Sequence, residues 1–372
     1  MKKSKIPVRE YTWLELLKQD FVYGIPLFYN GTPSSCASKH DKNLLYRGII
    51  HRFPSFLRWK FAYLGERSRC TSGVRIEFTT DASAIKLLIK TKYMKHRENF
   101  SNMAQAAMDI LVDGRFWALY YPRWKNLEKI YLPDDGMVHR ISLVFPNYAS
   151  IKLEKIILFN LTEFVHRSPE YLLNNRPIIH YGSSITQGGC SSRPALAFPH
   201  LLSETFCVNH INLGISGNAR GEPEIADYVA NFSNAILFIL EWGANLLDLK
   251  WDDLLEQRYE KFWRTIHNSN PNTPILFVGL QNFSYDICGM LEIRMNIQKK
   301  REFIQKQALA ACKEVNKNGL KLFDYIDGTT IINSSRLDLT IEGIHPNDKG
   351  HRAYAESMKC KIINLLGNHI TA

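Results

Sequence analysis

The sequence predicts two domains in series: a β-sandwich over residues 1–170, then an α/β domain with a parallel sheet covered on both faces over residues 176–372. Three observations predict this. The chain has 372 residues, more than one average domain uses. Its first half alternates apolar and polar residues with a period of two between turn residues. Its second half alternates short, wholly apolar runs with helical stretches, the pattern of strands buried on both faces.

In the first half, strands are predicted at residues 74–78 (VRIEF), 84–92 (AIKLLIKTK), 107–112 (AMDILV) and 140–145 (RISLVF). Asp113-Gly114 follows the third and signals a hairpin, and Asp134-Asp135-Gly136 signals a turn. Helical periodicity is almost absent. Residues 162–176 (TEFVHRSPEYLLNNR) carry Pro169 and an Asn pair without a strand pattern, and read as the connection between domains. In the second half, strands are predicted at 177–181, 208–213, 235–242, 274–280 and 320–326. Helices are expected at 195–206, 222–231, 252–268, 294–316 and 349–366. In a sheet of this kind the working residues sit on loops at the carboxyl ends of the strands.

Composition narrows the function. Hydrophobic residues make up 45% and charged residues 22%, which excludes a disordered or fibrous chain. No apolar run approaches the roughly 18 residues of a spanning helix, and the basic start MKKSKIPVREYTW leads into no signal core. Seven scattered cysteines without a CxxC pair argue against a zinc ribbon and a disulfide framework, so a cytoplasmic protein is expected. The net charge of +11 lies entirely in residues 1–175, with 27 Lys+Arg against 16 Asp+Glu; residues 176–372 hold 20 of each. That excess is either a solvated face or a surface for an anionic partner or substrate. It is too dispersed for a nucleic-acid-binding motif.

Four segments fall at the predicted strand ends: Gly182-Ser183-Ser184 with Ile185-Thr186-Gln187-Gly188, Asn212 through Asn218 (NLGISGN), Gly243-Ala244-Asn245, and Glu342-Gly343-Ile344-His345-Pro346. In order and context they resemble the four blocks of the SGNH (GDSL) hydrolase family. The strings HYGSSITQGGCSSRP and INLGISGNARGEPE resemble the subgroup with an N-terminal β-sandwich, which includes esterases and an acyltransferase. The resemblance implies a three-layer α/β/α, flavodoxin-like domain after a jelly-roll-like sandwich. It implies Ser184 as nucleophile, His345 as base, and the Ser184 and Gly217 N–H groups with the Asn245 amide as oxyanion donors. Two positions depart from the pattern. Ser183 stands where GDS has Asp, and Glu342 stands where DxxH has Asp. Glu342 is the expected third member of the triad, with Asp338 and a backbone carbonyl as alternatives.

These residue types suit acyl transfer. A serine hydroxyl needs a positioned base to become nucleophilic at neutral pH. Histidine takes that proton and returns it to the leaving group, the carboxylate fixes the tautomer, and the donors stabilise the tetrahedral oxyanion. The expected activity is an esterase, such as a carbohydrate O-deacetylase. The alternative is an acyltransferase fed by acyl-CoA or an acyl carrier protein, and a non-catalytic glycan-binding protein is a third reading. No cofactor, metal, nucleic acid or membrane partner is implied. Arg193 either holds a substrate carboxylate or phosphate, or ties its loop to Glu222 or Glu224. His180 reads as structural and Cys190 as a packed thiol. Trp13, Trp59, Trp117 and Trp124 form either a sugar-stacking platform or core.

Overall fold

Asp113 and Gly114 take φ angles of 49° and 75°, the left-handed pair that a two-residue hairpin demands. Across them Met108–Val112 pairs with Arg115–Tyr120. This is a computed structural model, and it describes residues 8–29, 32–93, 96–122, 129–161, 164–165, 176–248, 251–316 and 321–367. The chain divides into two units: residues 1–175 with 193–195, and residues 176–192 with 196–372.

Among the described residues the first unit holds a small two-stranded antiparallel sheet, Phe28–Tyr29 with Thr32–Pro33, and two large antiparallel sheets. One contains Val8–Thr12, Ala149–Phe159, Ala84–Tyr93 and Ile130–Tyr131 in that spatial order; the other runs Phe164–Val165, Arg75–Thr80, His139–Val144, Met108–Val112, Arg115–Tyr120, with Val22–Tyr23 also on Arg75–Thr80. Their inner faces share one core, in which Ile76, Phe78, Ile110 and Leu143 of one sheet meet Ile85, Leu87, Ile151 and Leu158 of the other. All four predicted strands are present, within two residues at their ends. The predicted connection at 162–176 lies largely outside the described residues, but Phe164–Val165 is a strand on Thr79 and Thr80.

The second unit carries five parallel strands in the order His210–Gly214, Ile178–Gly182, Leu237–Glu241, Ile275–Val278, Phe323–Ile326. This is the 2-1-3-4-5 order of a doubly wound sheet, whose direction of winding reverses between the first and third strands. One core joins Ile178, Leu237 and Leu276 to Phe198 and Leu202 of helix Phe198–Phe206, and to Tyr354 and Met358 of helix Asp348–Leu366. Three further helices are Pro223–Ala230, Asp252–Ser269 and Leu291–Val315, and Asp252–Ser269 brings an aromatic layer: Tyr181 stacks on Phe262 at 4.6 Å, and Trp263 meets Phe323 edge-on at 5.6 Å. No described helix is long and apolar enough to cross a membrane.

Candidate active site

The strand Ile178–Gly182 ends in a tight turn into the short helix Ser184–Gln187. Ser183 caps that helix, accepting from the Ile185 N–H at 3.1 Å. Gly182 has no alternative: a Cβ there would sit 2.1 Å from Thr186 Oγ1 and 2.8 Å from a Glu241 carboxylate oxygen. That carboxylate accepts the Ser183 N–H (3.1 Å), the Ser183 hydroxyl (2.9 Å) and the Thr186 hydroxyl (2.8 Å). Burial pushes the Glu241 carboxyl up, while the Ser183 and Thr186 donors pull in the opposite direction. Glu241 thus anchors the Ser183–Ser184 turn from the neighbouring strand. Sequence reasoning passed over it; its only signal is a lone acidic residue in the apolar run AILFILEW.

Ser184 is the first residue of that helix, and its Oγ lies 2.7 Å from His345 Nε2. On the other side of the ring, Nδ1 hydrogen-bonds Glu342 Oε1, which also accepts the His345 backbone N–H at 3.1 Å. With Nδ1–H given to the carboxylate, Nε2 keeps the lone pair that faces the hydroxyl. Burial raises the Glu342 carboxyl, but the hydrogen bonds and charge of His345 outweigh it and hold Glu342 below the usual carboxylate range. The loop itself is clamped: Gln281 Nε2 donates to the Ile344 carbonyl (2.6 Å), and the Ser284 N–H donates to Gly343 O (2.8 Å).

The second oxygen of Glu342 faces Cys190, whose Sγ lies 3.5 Å away. Burial, reinforced by that carboxylate, pushes the thiol well above its ordinary value, so it stays protonated and donates. Cys190 is therefore more than the packed thiol expected from sequence. Cys190, Glu342 and His345 offer ligand atoms within 4.8 Å of one another, close enough to share a metal ion. In this arrangement the thiol proton and the imidazole N–H already occupy the carboxylate.

The loop after the second strand is tied to the Ser183–Gln187 turn, and the loop after the third strand is tied to that second loop. Gln187 Oε1 accepts the Ser216 N–H (3.0 Å), Asn212 Nδ2 donates to Thr186 O (2.7 Å), and Asn245 Oδ1 accepts the Ala219 N–H (3.0 Å). The last bond fixes which way the Asn245 amide faces and leaves Nδ2 on the opposite side. Gly217 takes φ 74°, and an added Cβ would meet nothing within 4 Å. Glycine is required there by the backbone conformation, with open space in front of it.

The structure thus brings Ser184, His345 and Glu342 into one line, with Gly217 on a loop bonded to the same turn and Asn245 bonded in turn to that loop. Asp338 is exposed, and Glu342 is the carboxylate at the ring. Arg193 pairs with buried Asp109 at 3.0 Å and stacks on Phe116 at 3.8 Å. It therefore ties its loop, but to Asp109 rather than to Glu222 or Glu224. His180 is fully buried between His210 Nε2 and Thr186 Oγ1, each at 3.2 Å, and burial lowers its pKa to about 3. Of the tryptophans, Trp13 is core, and Trp59 and Trp117 are exposed at 72% and 47%; Trp124 lies outside the described residues.

A 2-1-3-4-5 parallel sheet with these loops at its carboxyl edge, preceded by a β domain, defines the class of esterases and acyltransferases built on an α/β/α scaffold. Residues 175–364 match the GDSL-like lipase/acylhydrolase family, and the chain belongs to that family. Among solved structures it is similar to a candidate GDSL-like lipase from Bacteroides ovatus, with 22% identity and a TM-score of 0.74 over 97% of this chain and 98% of that one. It is also similar to a salicylyl-acyltransferase from a tetracycline biosynthetic pathway (18%, TM-score 0.71, 98% and 99% covered). A family 2 carbohydrate esterase from Corynascus thermopiles (Myceliophthora fergusii) shares the layout more loosely (16%, TM-score 0.53, 80% and 94%). No curated protein matches the chain.

Proposed function

We propose that this chain is a serine acyl-ester hydrolase acting on O-acylated carbohydrate, with its machinery in residues 176–372 and an accessory β-sandwich in residues 1–170. The observation that carries the reading is the line from Ser184 Oγ through both His345 nitrogens to Glu342. Ser184 Oγ bonds to the acyl carbon as His345 Nε2 takes the hydroxyl proton. The carbonyl oxygen becomes an oxyanion held by the Ser184 and Gly217 N–H groups and Asn245 Nδ2. The C–O bond to the sugar breaks, and the alcohol leaves with the proton from His345. Water then adds to the acyl carbon, again giving its proton to Nε2; the bond from that carbon to Ser184 Oγ breaks as Nε2 returns the proton to Oγ, and the acid departs. Glu342 stays ionised throughout and stabilises the imidazolium. The fold shared with a carbohydrate esterase is the reason for choosing a sugar alcohol. All seven cysteines are free, which supports a reducing, cytoplasmic setting.

The test is Ser184→Ala. It should abolish turnover of an aryl acetate, acetate release from a panel of acetylated sugars, and labelling by a fluorophosphonate; labelling that persists at another residue sinks the assignment. One observation favours a second reading, acyl transfer from an anionic thioester: the whole +11 excess lies in residues 1–175. On that reading kcat/KM for an acyl-CoA falls steeply with ionic strength. Salt-insensitive deacetylation of neutral sugars without thioester turnover eliminates it.

A further inference from the structure

The first unit contains a cavity of about 500 Å³, lined among others by His40, His51, Arg58, Arg69, Lys90 and Lys152. Its size lies in the range of small-molecule sites. Leu44 and Ile49 supply its apolar wall and Ser150 a hydroxyl, and none of the described lining residues is acidic. The cations are poorly compensated. Arg58 is paired with buried Asp41 at 2.6 Å. Lys90 and Lys152 share the single carboxylate of Glu154, at 2.6 and 3.8 Å. Arg69 is exposed, and its guanidinium makes no ion pair among the described residues. Four fixed cations are therefore matched by two carboxylates.

Two further features describe the pocket. His51 is buried, with Nδ1 3.3 Å from Ser68 Oγ. Burial first, then the charges of Arg58 and Arg69, depress its pKa to about 3, so the ring is neutral and adds a polar edge without a charge. His40, an exposed lining residue, has its ring 6.2 Å from that of Trp59.

We infer that this pocket is a binding site for a small molecule bearing a compact oxyanion, carboxylate or phosphate, which Arg69, Lys90 and Lys152 neutralise. A guanidinium fork with two adjacent ammonium groups matches the planar or tetrahedral oxygens of such a group. The apolar wall suits the ring or chain that carries it. The site shares no residue with the Ser184 site, and occupancy is read by binding, so it stands or falls separately from the esterase reading. Two molecules present this chemistry: an acidic sugar through its carboxylate, and coenzyme A through its phosphates.

The experiment is titration calorimetry of the full chain at low ionic strength with inorganic phosphate, glucuronate, coenzyme A and uncharged glucose. An anionic probe should bind and glucose should not. Arg69→Glu and the milder Arg69→Gln should weaken the anion, the former by about tenfold or more. Lys18→Glu, an equal change of net charge at an exposed position of the same unit, should leave affinity within about twofold. Circular dichroism and melting confirm that each variant is folded. Binding of glucuronate without coenzyme A assigns the site to an acidic sugar; Arg69-dependent binding of coenzyme A assigns it to phosphates. Failure of every anion to bind, equal weakening by Arg69→Glu and Lys18→Glu, or equal binding of glucose overturns the inference.

Discussion

Asn245 permits a crossed test, because its two amide atoms do different things. Oδ1 accepts the Ala219 N–H at 3.0 Å, which leaves Nδ2 as the proposed oxyanion donor. Asn245→Ala removes both functions. The lost donor should lower kcat by about 10²–10³, or 2.7–4 kcal/mol, and the orphaned Ala219 N–H should cost about 1–3 kcal/mol of stability. Asn245→Asp keeps the acceptor for Ala219 but sets a negative oxygen where the donor stood. Two like charges about 4 Å apart at an effective dielectric near 20 repel by roughly 4 kcal/mol. Added to the lost donor, this takes kcat down by about 10⁵–10⁶.

The two rankings must therefore run in opposite directions. Turnover should fall from wild type to Asn245→Ala to Asn245→Asp, while stability should fall from wild type to Asn245→Asp to Asn245→Ala. KM should barely move, since the oxyanion exists only in the transition state. Steady-state kinetics on an aryl acetate, with urea unfolding of the same variants, measures both. If Asn245→Asp turns over faster than Asn245→Ala, or if the losses appear in KM, then Nδ2 does not face the reacting oxygen.

Three other outcomes follow from the same geometry. Glu342→Gln should lower kcat by about a hundredfold or more, and His345→Ala by more still; Asp338→Asn, at an exposed position, should leave kcat within about twofold. Because Glu342 titrates below its ordinary 4.5 when folded, the unfolded chain takes up that proton first as the pH falls. The stability difference between wild type and Glu342→Gln should therefore be constant above about pH 4.5 and shrink below it, as urea unfolding from pH 3.5 to 7 will show. Glu241→Leu removes the carboxylate that accepts the buried Ser183 hydroxyl and one of the two partners of the Thr186 hydroxyl, while the Ser183 N–H keeps the backbone carbonyl of residue 241. It should destabilise the second unit by about 1–3 kcal/mol, read as its urea midpoint, and a shift near zero refutes the anchor.

What the sequence revealed depended on how local the determinant was. The five parallel strands were legible because burial on both faces leaves unbroken apolar runs; their ends moved by one to three residues, where Pro177 and Trp242 extend the apolar run past the pairing. The Ala149–Phe159 strand was missed although it is eleven residues long. A register shift between Leu153 and Lys155 reverses the phase of its alternation, so no single period fits it. The first unit also contains helices such as Trp13–Lys18 and Ser55–Lys60, of only six residues each, too short to display a 3.6-residue period. At the site, the ordered blocks pointed to Ser184, Gly217, Asn245, Glu342 and His345. The partners of Arg193 and Cys190 were invisible, because Asp109 and Glu342 lie 84 and 152 residues away in the chain.

The two departures from the family pattern have physical explanations in the same structure. Ser183 cannot carry the charge of the Asp it replaces, but the carboxylate is supplied from outside the block: Glu241 is the register partner of Gly182 on the adjoining parallel strand. Its oxygens take up the Ser183 and Thr186 donors in a buried setting, where the Ser183 hydroxyl would otherwise be orphaned. This exchange has a mechanical consequence. Ser184 immediately follows Ser183, and Asn245 lies four residues beyond Glu241, so the proposed nucleophile and the proposed oxyanion donor are mounted on one hydrogen-bonded joint across the point where the winding of the sheet reverses. The longer stem of Glu342 is likewise accommodated, because one carboxylate oxygen gathers both the ring and the backbone N–H of His345 while Cys190 holds the other. In each case a residue changed within a block is offset by a partner outside it, so the block alone understates how firmly the site is held.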